Sequence, residues 1–421
     1  MIVALLTRIG SQILSVVLLF SLVYNVNFKV FPPATMGRLA VLYLIWEQRH
    51  ILKERIYFLA AKHPYVLLTL AALLIHAVVG YWFAGRVDSV QMSRQFHFIF
   101  YSIFASYLYA LHLRGNLKMF LCNFAIVGAI QGGMIIYSLF SWEYREWLAS
   151  VVVEGGNYEL TLATRPPGFS NSTGANLSVI QALGVFSCLW IAFEDNPWWA
   201  KVLSIIGAIV AITSTMLAGR TGLMLSGLFV ATFCIRDLGR LRFKSTLVAA
   251  AFVALTVFQG PLLIDYLNEN RGDYLPDFEK ISNWAFEFFL SDGNVYSVYD
   301  LSTMPVPKLT FNTLIGTGMA DKTGNDSGYI QSYYALGLLM AGVFYSVAAY
   351  LCVIMWRKSR ERFLYLSLIG GIFLVELKEP FMLKYIYFFF IVSHYYLLAG
   401  FADAAKVEKH DQLSTQQMAP S

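Results

Sequence analysis

Runs of about 20 apolar residues follow one another along almost the whole chain, broken by short polar connections. Wound as a helix, a run of that length matches a hydrocarbon core of about 30 Å. Lipid offers no partner for backbone N–H and C=O groups, and within one segment only a helix pairs them all. Composition agrees: 57% of residues are hydrophobic and 14% charged, with a mean hydropathy of +0.58. A soluble domain carries about a quarter charged residues. The pattern predicts an all-α, polytopic integral membrane protein of about 12 transmembrane helices, with one large periplasmic loop between the ninth and tenth.

Spans are expected at 4–24, 30–47, 64–84, 95–113, 117–141, 171–193, 198–218, 221–235, 245–264, 326–356, 361–376 and 380–401. Residues 1–401 form a single transmembrane domain on this reading, and 402–421 a polar, disordered cytoplasmic tail. The first apolar stretch, Ile13 to Tyr24, is followed by no small-x-small cleavage site and reads as a retained helix.

With the N-terminus in the cytoplasm, one set of connections carries the positive charge. It holds Arg49, Lys53, Arg55 and Lys62; Arg114 and Lys118; Lys201; Arg236, Arg240, Arg242 and Lys244; and Arg357, Lys358, Arg360 and Arg362. These are short and basic, as cytoplasmic loops are. The other set, which includes 142–170 and 265–325, is then periplasmic. The second of these, about 60 residues long with Pro276, Pro305 and Pro307, is too long for a plain connector. Within it Phe278, Ile281, Ala285, Phe288 and Phe289 recur at helical spacing, which predicts an amphipathic helix on the membrane surface. No internal repeat stands out, and no matching pair of broken helices marks an inverted-repeat transporter.

Several chemistries are excluded or unsupported. A net charge of +5, scattered along the chain, does not suggest nucleic acid. Cys122, Cys188, Cys234 and Cys352 lie within apolar runs without CxxC spacing, and the seven histidines form no cluster, so no metal site is legible. Gly316-Thr317-Gly318-Met319-Ala320-Asp321-Lys322-Thr323 has Asp321 where a phosphate loop needs its second glycine, and no strand precedes it.

Ionisable residues inside a membrane are costly and mark function by default. From Arg220 to Arg236 is about 24 Å of helix, and from Phe363 to Glu376 about 20 Å. If Arg236 and Arg362 mark the cytoplasmic surface, then Arg220, Glu376, Lys378 and Glu379 lie below the periplasmic one. Two accounts compete. In one, Glu376 and Lys378 neutralise each other and Arg220 caps carbonyls of the preceding helix. In the other, these groups line a water-filled site. Four polar motifs precede helices whose N-termini face the periplasm: Arg165-Pro166-Pro167-Gly168-Phe169-Ser170-Asn171, Ala218-Gly219-Arg220-Thr221-Gly222, Asn325-Asp326-Ser327-Gly328-Tyr329 and Lys378-Glu379-Pro380. Ordinary capping accounts for the Asn, Ser and Pro residues. It leaves Arg165, Arg220 and Lys378 at positive dipole ends, where an anionic partner would resolve the conflict.

RPPGFSN before a helix, the small-residue AGRTG between two spans, the large loop, GTG…DSGYI followed by Ala335-Leu336-Gly337-Leu338, and a late LKEP together make a chain that resembles Wzy-type O-antigen or capsule repeat-unit polymerases. These share a superfamily with the O-antigen ligases. The resemblance implies a metal-independent glycosyltransferase without cofactor, working on the periplasmic face of a bacterial inner membrane. Its substrate would be undecaprenyl-pyrophosphate-linked glycan, with a chain-length regulator protein as a further partner. It also implies that Arg165 and Arg220 engage the pyrophosphate. Ligases of the superfamily typically carry a histidine where this chain has Asp326 and Ser327, and that departure favours polymerase. As the sugar–phosphate bond breaks, charge develops on the leaving phosphate, and fixed cations there lower the barrier. The acceptor hydroxyl needs a base, for which Asp326 is placed first, with Glu376 or Glu379 behind it. Arg271, Ser327, Tyr329, Glu376, Lys378 and Glu379 complete the expected substrate-binding set. A glycan ligase and a transporter or flippase of lipid-linked sugars are the alternatives.

Reporter fusions truncated after Arg242 should report the cytoplasm and fusions after Asp300 the periplasm. The opposite readout would overturn the orientation.

Overall fold

The computed structural model describes residues 2–29, 35–53, 56–57, 71–76, 78, 94–152, 168–170, 174–239, 308–316, 327–378, 380–382 and 384–400. Among these residues the chain is helical, and extended pairing is limited to the bridges Asn27–Thr35 and Phe28–Val152. The elements are α1 (Ile2–Tyr24), α2 (Met36–Glu47), a π-helical turn (Phe98–Ala105) leading into α3 (Ser106–His112), α4 (Leu117–Phe140) and α5 (Trp142–Val151). They continue with α6 (Gly174–Phe193), α7 (Trp198–Ala218), α8 (Arg220–Gly239), α9 (Phe311–Ile315), α10 (Gly328–Lys358), α11 (Arg362–Glu376) and α12 (Ile386–Tyr395). Of the described helices, α4, α6, α7, α8 and α10 are long and apolar enough to cross a membrane. The expected span 245–264, the amphipathic helix at 278–289 and the tail 402–421 lie outside the described residues.

Polar side chains open several helices. Asn116 accepts the Met119 N–H at 3.0 Å to start α4, Thr35 that of Arg38 at 3.1 Å to start α2, and Ser141 that of Tyr144 at 3.1 Å to start α5. Each satisfies a backbone donor that the first turn leaves over. The outward faces are apolar: Ile9, Ile13 and Val17 on α1 and Val202, Leu203 and Ile206 on α7 are exposed. Such faces suit lipid as solvent and would be a liability in water.

The core gathers around α6, which α4, α7, α8 and α12 all touch. Small residues permit this. A Cβ on Gly128 of α4 would stand 2.9 Å from Gly184 Cα of α6, and one on Gly184 would stand 3.1 Å from Gly128 Cα. The two backbones therefore meet directly. On α7, a Cβ at Gly207 would meet Cys188 Sγ of α6 at 3.2 Å. Helices without a hydrophobic drive to associate in lipid gain from this close packing.

Polar ties join the helix ends at one face. Arg236 of α8 is 6% exposed and lies within 3.9 Å of Glu194, 3.4 Å of Asp237 and 3.6 Å of Glu361. It also packs over the Phe193 and Phe233 rings, so the ends of α6 and α8 and the start of α11 are bolted together. A second tie joins the ends of α2 and α3, where His112 Nδ1 meets Glu47 at 2.8 Å and its Nε2 meets the Ser15 hydroxyl at 2.8 Å. Both ties involve connections of the basic set, here called the basic face.

The expectation of an unbroken helix over 326–356 needs correction. Within α10, Gly337 adopts φ 74°, ψ 167°, which ends one helical segment and starts another. Gly316, at φ 93°, lies against it, and a Cβ on either glycine would collide with the other's backbone. Only glycine takes such angles without strain. The short helix α9 ends at this contact, and His76 Nε2 donates to the Ile315 carbonyl at 3.0 Å. The GTG and ALGL stretches thus meet through their glycines.

Gly128→Val should destabilise the protein by about 1–3 kcal/mol through overpacking, seen as a lower unfolding midpoint in detergent. Gly133→Val, where a Cβ would meet nothing within 4 Å, should leave the midpoint near that of the native chain.

Candidate functional site

Away from the basic face, the first turns of α6 and α8 lie side by side. Gly219, the residue before α8, would place a Cβ 2.9 Å from Ser178 Oγ and 3.2 Å from the Ala175 backbone. Gly222 sits so close to α6 that any Cβ would strike the Ser178 carbonyl, and its N–H donates to Ser178 Oγ at 3.1 Å. The two glycines of AGRTG therefore serve close approach, and Arg220, half-buried, is the first residue of α8 at that crossing. Two positive helix ends meet there, an arrangement that favours an anion.

Of the RPPGFSN motif, Gly168–Ser170 are described, and they pack against α4 and α5. Gly168 packs on Gln131 and Ile135 of α4, and no side chain would fit there. Phe169 stacks with Trp147 of α5 at 6.3 Å and lies near Phe20 and Phe28, while Ser170 is buried. From Gln131 to the end of α4 at Phe140 is nine residues, or about 13 Å, so this segment reaches well down into the bundle. Arg165, in the same motif, lies outside the described residues, as do Arg271, Asp326 and Glu379.

Glu376 is a further buried polar group. It is fully buried at the end of α11, where Oε1 accepts from the Tyr345 hydroxyl at 2.9 Å and Oε2 from the Met382 N–H at 2.8 Å. Lys378 is exposed. The idea that Glu376 and Lys378 neutralise one another is replaced by this arrangement, in which Tyr345 and a backbone amide satisfy the carboxyl. The Met382 bond also holds Pro380–Met382 against the end of α11. As a result α12 opens at Ile386, behind Tyr385, rather than at Pro380. Lys378-Glu379-Pro380 is therefore not a helix opening, and the dipole conflict expected at Lys378 falls away.

Arg220 and Glu376 stand at matching depth. Arg236 near the end of α8 pairs with Glu361 just before α11, so the two helices run antiparallel. A Cβ on Gly371 of α11 would meet Leu225 of α8 at 2.5 Å. Arg220 and Glu376 each lie five residues beyond that contact toward the same face, about 7.5 Å along the axis.

Tyr329 has structural work. The Tyr329 hydroxyl donates to the Phe373 carbonyl at 3.0 Å and its ring lies 5.3 Å from Tyr345, which ties the first segment of α10 to α11. Ser327 occupies the N-cap position of α10 and is buried, yet its side chain makes no capping bond. Ordinary capping does not explain it.

Charge patterning alone misses three residues. Arg145 of α5 is buried, and its Nε donates to the Ser138 carbonyl; it sits in a connection, where a charge draws no notice. Gln131 and Gln181 are fully buried in α4 and α6. They carry no charge, although an amide in the middle of an apolar run is itself a signal. Among the described residues, no three His, Cys, Asp or Glu side chains are grouped as a metal site would need. No family model, curated protein or solved structure matches this chain.

Tyr345→Phe should cost about 1–3 kcal/mol by leaving a buried Glu376 oxygen without its donor. The check is the thermal unfolding midpoint, and an unchanged value would mean the bond carries no weight.

Proposed function

We propose that the protein is a glycosyltransferase that polymerises undecaprenyl-pyrophosphate-linked oligosaccharide units at the periplasmic face of a bacterial inner membrane, in O-antigen, capsule or exopolysaccharide synthesis. The observation that carries this reading is the meeting of two long helix N-termini, one of them opened by Arg220, at a depth shared with the buried Glu376. A diphosphate attached to a lipid has the charge and the membrane depth for that place. RPPGFSN runs into the same region through Gly168 to Ser170, which supports Arg165 as the second cation.

In this mechanism the acceptor hydroxyl attacks the anomeric carbon, the bond from that carbon to the pyrophosphate breaks, and the hydroxyl proton passes to a base. Arg220 and Arg165 stabilise the charge that grows on the leaving pyrophosphate, which stays on its lipid. Asp326, two residues before α10, is the base we place first. Glu376 already accepts from Tyr345 and Met382, which favours a supporting role in which it anchors Met382 at the end of α11. Arg271, Ser327, Tyr329, Lys378 and Glu379 would contact the glycan around these groups.

The break at Gly337 favours a second reading. Discontinuous helices line the substrate sites of many carriers, so a transporter of lipid-linked sugars is the competing account. Protein reconstituted in vesicles with lipid-linked repeat units separates the two, since polymer formation means an enzyme and mere redistribution of intact substrate means a carrier.

Arg220→Ala and Arg165→Ala should each lower polymerisation about 10²–10³-fold, the usual cost of removing one charge-stabilising group, with protein levels normal. Native chain-length distributions in both variants would overturn the assignment.

A further inference from the structure

Under the Gly168–Ser170 segment lies a side chain whose hydrogen-bonding capacity the protein does not use. Gln131 is fully buried, and neither Nε2 nor Oε1 has a hydrogen-bond partner. Any Cβ on Gly168 would strike that amide, so at this position backbone alone can lie against it. Gln181 faces the same region from α6: a Cβ on Gly128, three residues before Gln131 on α4, would meet Gln181 Oε1 at 3.9 Å. Gln181 Nε2 donates to the Tyr24 hydroxyl at 3.0 Å, while its Oε1 accepts nothing. Thr221, in the first turn of α8 next to Arg220, is likewise buried with an unpartnered Oγ1.

A buried amide without partners bears its whole desolvation cost, and a leucine of similar size would bear none. Such a group in a native fold calls for a partner, which a bound water or a ligand hydroxyl would supply. The kind of partner follows from the unfilled positions. Gln131 lacks both a donor and an acceptor, and Gln181 lacks a donor. An ionised diphosphate diester has no hydrogen to give, so it cannot serve the two amide oxygens. A saccharide hydroxyl both gives and accepts. The cation and the helix N-termini at Arg220 suit the phosphate, and the amides beneath Gly168 suit hydroxyl groups.

Resting on the function proposed above, we infer that Gln131 and Gln181 form a saccharide subsite that binds hydroxyls of the sugar nearest the diphosphate, in the place the Gly168–Ser170 segment now covers. The lipid-linked substrate then spans two chemically distinct neighbours, with phosphate at Arg220 and sugar at Gln131.

The test uses the full-length protein in lipid nanodiscs and lipid-linked repeat units extracted from cells that lack this gene. Undecaprenyl pyrophosphate, the same lipid stripped of its glycan, supplies the sugar-free probe, and thermal unfolding midpoints are the readout. In the native protein both lipids should raise the midpoint, the glycan-bearing one further. Gln131→Leu should raise the midpoint without lipid, keep the shift from the stripped lipid, and lose the extra shift from the glycan. Arg220→Ala should lose the shift from the stripped lipid. Gln131→Met repeats the experiment with an unbranched side chain, in case leucine packs badly. If both Gln131 variants keep the full glycan increment, or lose both shifts alike, the saccharide subsite is wrong while the diphosphate site stands. If neither lipid shifts the native protein, the proposed function fails and this subsite with it.

Discussion

Backbone-to-backbone contact at α6 is the constraint on which the remaining structure depends. Gly128 lets α4 lie against Gly184, and Gly222 lets α8 lie against Ser178. A methyl group at either place would push the helices apart. Without the first contact the core around α6 would open, and without the second Arg220 would leave the start of α6. Packing and site geometry are therefore set by the same small residues, since in lipid close approach is what holds helices together.

The two faces of the bundle use their polar groups differently. At the basic face, Arg236 is surrounded by Glu194, Asp237 and Glu361, and His112 bridges Glu47 and Ser15. The ion pairs there lock helix ends. Toward the opposite face lie two helix N-termini and the Gln131 amide, which has no hydrogen-bond partner within the protein.

How much is legible from residues alone varies with the kind of feature. Helix ends can be read closely where a cap or charge marks them, as at Leu117 behind Asn116 and at Trp198 behind Pro197. They mislead where tertiary bonding overrides local preference. Pro380 has every quality of a first-turn residue, yet Glu376 captures the Met382 amide and delays α12 to Ile386. Gly337 looks like one small residue in a long apolar run, and its positive φ follows from the partner Gly316 at a distance in sequence. Among the site residues, Arg220 and Glu376 stand out because charge within a short span is conspicuous. Gln131 and Gln181 do not, being neutral.

By itself the sequence determined that the chain is helical, that its segments suit lipid, and which ends of those segments carry positive charge. These are properties of each segment alone, because the length and polarity of a run decide whether lipid can solvate it. Only the tertiary structure decided which polar groups share a neighbourhood. Whether AGRTG touches the start of α6, or Gly168 covers Gln131, depends on how closely two helices can cross. That distance is governed by the shape of single side chains at the crossing, and hydropathy does not record it.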